Sequence, residues 1–361
     1  MEQKGLLFIP DISGFSRFVT ETEIDHSRLI IQELLEILIN ANEIGLEISE
    51  IEGDAILFYK FGEPPALEKL YQQVAKMFCN FHRSLMVYEQ HRYCYCKACV
   101  AAKDLTLKVI THYGEFTGYN IKNFQKLIGK DLIVAHQLLK NDLPEHEYWM
   151  VTRKLAGETQ PAGFASWMRW DSGVKHAETG DIPFHYTTLC SLKNELPPVG
   201  PPSDVLENKV KLISVGKEYD TNMNTLFHAT GDFSFRNRWQ EGVTEVEVMS
   251  HYLPRVGMRC RGVRDGKEYF IFSSSVLCRE HHVEFSETEE KTRSVTWFTI
   301  DRLSPQRSKL TLDLYVDRNI ASQIPVRWFR KARLRNEYVK SLDNLAALVR
   351  ELHFPGEELG S

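Results

Sequence analysis

Between Glu195 and Ser203 the chain reads ELPPVGPPS, and four prolines with a glycine in so short a stretch exclude a helix or a central strand there. The 361 residues are therefore expected to form two domains, 1–194 and 207–361, joined by a Pro-rich linker over 195–206. The two halves carry different periodicities. Before the break, Leu6 to Ile12 is a short apolar run containing Asp11, and Ile30, Leu34, Ile37 and Ala41 recur at helical spacing within 24–44. Glu47 to Tyr59 reads as two strands joined by a turn at Gly53, Leu70 to Tyr88 as a second helix, and Leu105 to Thr111 as a further strand. The order βαββαβ is compatible with a ferredoxin-like sheet with helices on one face, and order alone fits other α+β folds too. After the break, strands such as Val210–Val215 dominate, and Leu310, Leu312, Leu314 and Val316 alternate with Thr311, Asp313 and Tyr315. This half reads as antiparallel sheet closed by a helix with Tyr338, Leu342, Leu345, Val349 and Leu352 on one stripe, so an α+β class is expected for the whole chain.

A formal charge of −5 leaves no basic excess to neutralise a phosphate backbone, so nucleic acid is not an expected partner. No apolar run approaches the roughly 20 residues of a membrane-spanning helix, and Met1 to Gly5 does not resemble the start of a signal peptide. The expectation is a cytoplasmic protein with no membrane span. Among seven cysteines, three crowd into RYCYCKAC as Cys94, Cys96 and Cys99. That spacing can bring three thiolates around one soft ion, zinc foremost, with Cys79, His82, His91 and His112 as candidates for the fourth ligand; unliganded thiols in a loop are the alternative.

Two carboxylates stand beside glycines. FIPDISGFSRF (Phe8–Phe18) places Asp11 at a strand end with Gly14 following, and EIEGDAILFYKF (Glu50–Phe61) places Asp54 after Gly53 in a hairpin turn. Such a pair could hold Mg²⁺ or Mn²⁺ with nucleotide phosphates, although each turn alone is common without any chemistry. Together, with the elements between them, they resemble the metal-binding signature of class III adenylyl and guanylyl cyclases. The likeness continues in LKVITHYGEFTGYN (Leu107–Asn120) and KLIGKDLIVAHQLL (Lys126–Leu139), spans most of 5–153, and looks closest to a bacterial offshoot that pairs this domain with a second one.

The resemblance implies a bacterial homodimer that binds a purine nucleoside triphosphate, with Asp11 and Asp54 as metal ligands and Gly14 and Gly53 near the phosphates. It also implies that Glu50 and Lys126 read the base, a combination consistent with guanine although Lys126 is not the residue guanylyl cyclases normally use; solvated strand-end charges are the alternative reading of both. Two positions depart from the family: its transition-state asparagine falls at Ile133 and its transition-state arginine at Gln137. Losing one such donor lowers a rate by roughly 10²–10³-fold, unless His136, Lys130 or Lys140 substitutes.

The second half resembles the START-like helix-grip superfamily, which often encloses an apolar cavity. Trp239, Tyr252, Phe270, Trp297 and Trp328 are candidates to line one and hold a hydrophobic small molecule, or to be plain core. His281 and His282 are expected to point to opposite faces of a strand. Two readings follow: a signalling protein that forms a cyclic nucleotide under control of a small-molecule-binding domain, or a catalytically degenerate nucleotide-sensing and dimerisation module. A third is an enzyme acting in the C-terminal cavity.

Overall fold

The computed structural model describes residues 3–122, 124–177, 180–199, 205–249, 253–318 and 327–352, with backbone only for Phe124, Gln125 and 327–330. The chain divides into two compact units. The first comprises Met1–Glu21, Ile31–Met86 and Ala101–Pro198; the second comprises Thr22–Ile30, Val87–Val100 and Val199–Ser361. Two short segments from the first half of the sequence belong to the second unit.

The chain begins with β1 (Gln3–Ser13), α1 (Phe15–Glu21), α2 (Ile24–Asn40), β2 (Glu47–Glu52), β3 (Ala55–Phe61), α3 (Leu67–His91) and α4 (Lys97–Ala101). β4 (Thr106–Ile121), β5 (Phe124–Ile128), α5 (Lys130–Leu139), β6 (Tyr148–Thr152), α6 (Arg153–Ala156), β7 (Asp171–Ala177) and β8 (Gly180–Thr188) follow. The sheet of the first unit has the order β2-β3-β1-β4-β6-β8-β7, with β5 paired to β4. Its first four strands are antiparallel neighbours, the ferredoxin-like order expected from βαββαβ, and β6 adds in parallel to β4. β1 is buried from Gly5 to Ser13, as a strand paired on both sides and covered on both faces must be. Pro10 is tolerated in so central a strand because the β1–β3 register skips Ile9 and Pro10, where an N–H is missing.

A buried polar knot ties α5 to this sheet. Asp131 accepts from His112 Nε2 at 2.9 Å, from the Glu115 N–H at 2.7 Å, and from Lys154 Nζ at 2.7 and 2.8 Å. Gly114 has to lack a side chain, since a Cβ there would lie 2.1 Å from the Asp131 carboxyl carbon. Burial works to raise the Asp131 pKa, but His112, Lys154 and the Glu115 N–H hold it well below the usual carboxylate range.

The second unit is built on a single antiparallel sheet. Its elements are β9 (Lys209–Tyr219), α7 (Met223–Gly231), α8 (Arg236–Trp239), β10 (Val243–Val248), β11 (Arg259–Arg264) and β12 (Lys267–Arg279). β13 (His282–Glu289), β14 (Val295–Ser304), β15 (Arg307–Asp317) and α9 (Arg327–Glu351) complete it. The strand order β10-β11-β12-β13-β14-β15-β9 and the long C-terminal helix form the helix-grip arrangement anticipated above. Leu342, Leu345 and Val349 of α9 join Trp239, Phe285, Phe298 and Leu312 in one core, and Tyr93 from the Val87–Val100 segment belongs to it as well. His281 lies in the turn before β13 rather than on the strand, and His282 pairs with Asp301 at 2.7 Å. The whole chain is α+β, and no described helix is long and apolar enough to cross a membrane.

A group whose folded pKa is depressed stabilises the fold above its unfolded pKa and ceases to do so as pH falls. Asp131→Ala should therefore cost about 3 kcal/mol at neutral pH, and the variant should lose less on acidification than the wild type. Denaturant unfolding of both proteins at neutral and acidic pH measures this; equal acid sensitivity would contradict it.

Candidate functional site

Asp11 and Asp54 meet because the β1–β3 ladder brings them together. Asp11 faces Ala55 in register, and the Ile12 N–H donates to the Asp54 carbonyl at 3.0 Å. Gly53 and Asp54 form the two-residue loop between β2 and β3, with φ +61° at Gly53, and Gly14 adopts φ +90° immediately after β1. Both turns thus need the glycines that sequence reasoning singled out. Lys108, opposite Asp11 on β4, places Nζ 3.4 Å from Asp11 Oδ1. Burial raises the Asp11 carboxyl to about 6; Lys108 opposes the shift and the charge of Asp54 adds to it. Burial raises Asp54 too. Two desolvated carboxylates beside one ammonium leave unneutralised negative charge, and their hard oxygen donors fit Mg²⁺ or Mn²⁺. Lys108 carried no local signal; only cross-strand register reveals it.

Glu50, Lys126 and His136 form a second cluster in the same unit. Lys126 Nζ donates to Glu50 Oε2, and His136 Nε2 lies 3.8 Å from Glu50 Oε1. The two residues assigned to base reading are therefore joined to each other. Ile133 on α5 is 53% exposed, and Gln137 is half-buried one turn later on the same helix.

The three clustered cysteines converge as their spacing suggested, and their fourth partner is His26, in the first turn of α2. His26 Nδ1 lies 3.3 Å from Cys96 Sγ, 3.4 Å from Cys94 Sγ and 3.4 Å from Cys99 Sγ. Cys96 and Cys99 Sγ are 3.4 Å apart, and all four donor atoms fall within 4.8 Å of one another, a set able to hold a metal ion. All four residues belong to the second unit. Burial alone would lower the His26 imidazole, but its hydrogen bonds to Cys94 and Cys96 raise it to about 10. Hydrogen bonds from Cys96 and Cys99 hold Cys94 well below the usual thiol range.

None of the four candidates named from sequence joins this group. Cys79 belongs to the first unit, where burial raises its thiol. His82 is lowered to about 4 by burial and sits 3.4 Å from Glu147. His91, beside Arg255, is lowered by burial, and His112 belongs to the Asp131 knot. His26 stands 68 residues before Cys94, and nothing in its local sequence marks it as a ligand.

The second unit also contains a hollow of about 700 Å³ whose lining includes Arg264, Tyr269, Glu287, Lys291, Arg333 and Tyr338. Tyr269 Oη, Arg264 Nε and Gln240 Oε1 are buried without hydrogen-bond partners among the described residues. Of the aromatic residues considered for a cavity, Trp239 is core and Phe270 and Trp297 are half-buried. Tyr252 and the Trp328 side chain lie outside the described residues. Buried against Glu287, which lines the hollow, Arg236 donates to the Thr230 carbonyl at 3.2 Å and stacks 4.9 Å over the Trp239 ring.

Residues 31–148 match a family described as "Protein of unknown function (DUF2652)". The "Uncharacterized protein Rv2561/Rv2562" of Mycobacterium tuberculosis is 30% identical over 133 residues, 34% of this chain, which spans 58% of that relative's length. Among solved structures, a bacterial light-regulated adenylyl cyclase is similar over 51% of this chain and 90% of its own, with TM-score 0.38 and 16% identity. The adenylyl cyclase CyaB from P. aeruginosa covers 52% of this chain and 95% of its own, with TM-score 0.34 and 14% identity. A START superfamily protein from Mycobacterium smegmatis covers 39% and 98%, with TM-score 0.31 and 18% identity.

Removing one member of a buried ion pair leaves the other charge stranded, at a cost of about 3–5 kcal/mol, whereas replacing both with apolar groups is often neutral. Arg236→Met should accordingly destabilise the second unit strongly, and adding Glu287→Leu should recover most of the loss in thermal or denaturant unfolding. A double variant as unstable as the single one would contradict this.

Proposed function

We propose that the first unit is a nucleotide-binding module of the class III cyclase type that takes a purine nucleoside triphosphate with Mg²⁺ or Mn²⁺ and turns it over slowly or not at all. The observation that carries this reading is the convergence of buried Asp11 with Asp54 at the ends of β1 and the β2–β3 hairpin. A divalent ion would be held by these carboxylates and would supply neutralisation of triphosphate charge. Gly14 and Gly53 would leave room for phosphates beside the backbone, while Glu50 and Lys126 would hydrogen-bond the base once their mutual ion pair opens.

Weak turnover follows from α5. Ile133 offers no polar atom to a ribose, and Gln137 carries no positive charge for the phosphates in a transition state. In the second unit, a hollow whose lining combines charged groups and unpaired polar atoms with Ile271 and Leu314 suits an amphipathic small molecule better than a purely apolar one. The module would then report nucleotide and small-molecule levels rather than generate a product in quantity.

Homodimerisation is part of this reading. Ile51 on β2, Ile121 on β4, Ile128 on β5 and Ile133 on α5 are each exposed in the first unit, and a second copy would cover such side chains. Light scattering at high concentration with Mn²⁺ and nucleotide should give twice the chain mass; a strict monomer would contradict the shared-site arrangement. Calorimetry should show that Asp11→Asn and Asp54→Asn each weaken Mn²⁺–nucleotide binding at least about tenfold, because each removes an anionic ligand. Unchanged affinity in both variants would remove the site.

A further inference from the structure

We infer that His26, Cys94, Cys96 and Cys99 are the four ligands of a structural zinc ion that fastens two distant segments into the second unit. The geometry is that of a closed site. With Zn–S near 2.3 Å and Zn–N near 2.0–2.1 Å, tetrahedral ligands would stand about 3.8 Å apart for two sulfurs and about 3.6 Å apart for sulfur and nitrogen. Here His26 Nδ1 is nearly equidistant from three sulfurs at 3.3–3.4 Å, and Cys96 and Cys99 are 3.4 Å apart. These separations are far too long for a disulfide bond, about 2.05 Å, and the three cysteines are free. A slight opening of the set admits the ion. Four protein ligands leave no coordination position for substrate, which makes the ion structural rather than catalytic.

The surroundings are those of a supported site. Tyr88 Oη donates to Cys99 Sγ at 2.9 Å, and Glu23 Oε2 accepts from the Ala98 N–H at 3.1 Å, holding the turn that presents Cys99. Cys94 and Cys99 are buried, and His26 and Cys96 are half-buried. The segment carrying the cysteines is built into the second unit next to them. The Tyr93 N–H donates to Pro254 O at 2.9 Å, Tyr93 Oη donates to Ser275 O at 3.1 Å, and Arg92 bridges to Arg255. Zinc would join this segment to Thr22–Ile30 through His26, so that binding free energy becomes folding free energy of the second unit.

The test is elemental analysis of the full chain purified without chelator from zinc-supplemented medium, combined with alkylation and cobalt substitution. The expected result is about one zinc per chain, retained in a Cys190→Ser control and in His26→Cys, and lost in His26→Ala and in Cys96→Ser/Cys99→Ser. Cys94, Cys96 and Cys99 should resist alkylation until a chelator is added, and Co²⁺ should give the intense visible bands of a tetrahedral thiolate site. Because the variants risk misfolding, the wild-type protein decides the matter alone. Absence of zinc with rapid alkylation of all three thiols, or a Cys96–Cys99 disulfide in the purified chain, would overturn the inference.

Discussion

The two-sided hydrogen-bond ladder of β1 is the constraint on which the first unit depends. β3 pairs along one side and β4 along the other, so the strand is buried and its residues have one available register. Asp11 is consequently fixed in a desolvated position, and the Ile12 N–H fixes the backbone at Asp54. A slip by one residue would turn Asp11 to the other face and place Pro10 where the ladder needs a donor. The same ladder brings Lys108 opposite Asp11, which tempers the charge without cancelling it.

Features encoded by local chemistry were legible in the sequence. The alternation of Leu310, Leu312 and Leu314, the apolar stripe of the last helix, and the glycine turns beside Asp11 and Asp54 each depend on neighbours a few residues away. The ferredoxin-like strand order was one of several α+β arrangements compatible with βαββαβ, and strand pairing decides among them. What escaped depends on tertiary contact. The periodicity of α3 runs without interruption to His91, so nothing announced that Val87–Val100 joins the second unit. His26 sits on a helix whose pattern is ordinary, and its role emerges only when the fold carries it to the cysteines. For the same reason the Asp131 knot and the Arg236–Glu287 pair could not be foreseen: each joins residues from separate elements.

Charge is handled differently in the two units. In the first, the carboxylates of Asp11 and Asp54 are desolvated beside Lys108, an arrangement that favours a cation. In the second, Glu287 has its own buried guanidinium, so that carboxylate needs nothing further, while Tyr269 Oη and Arg264 Nε have no hydrogen-bond partner among the described residues. The contrast separates a carboxylate pair short of positive charge from a carboxylate already neutralised.

Metal and nucleotide binding at β1 is tested most directly by methyl-labelled nuclear magnetic resonance with Mn²⁺ and a non-hydrolysable purine triphosphate. Paramagnetic broadening should be strongest at Ile12 and Ala55, which flank the two aspartates, and should require both the ion and the nucleotide. Broadening centred on other residues, or none at saturating nucleotide, would contradict a metal site at Asp11 and Asp54.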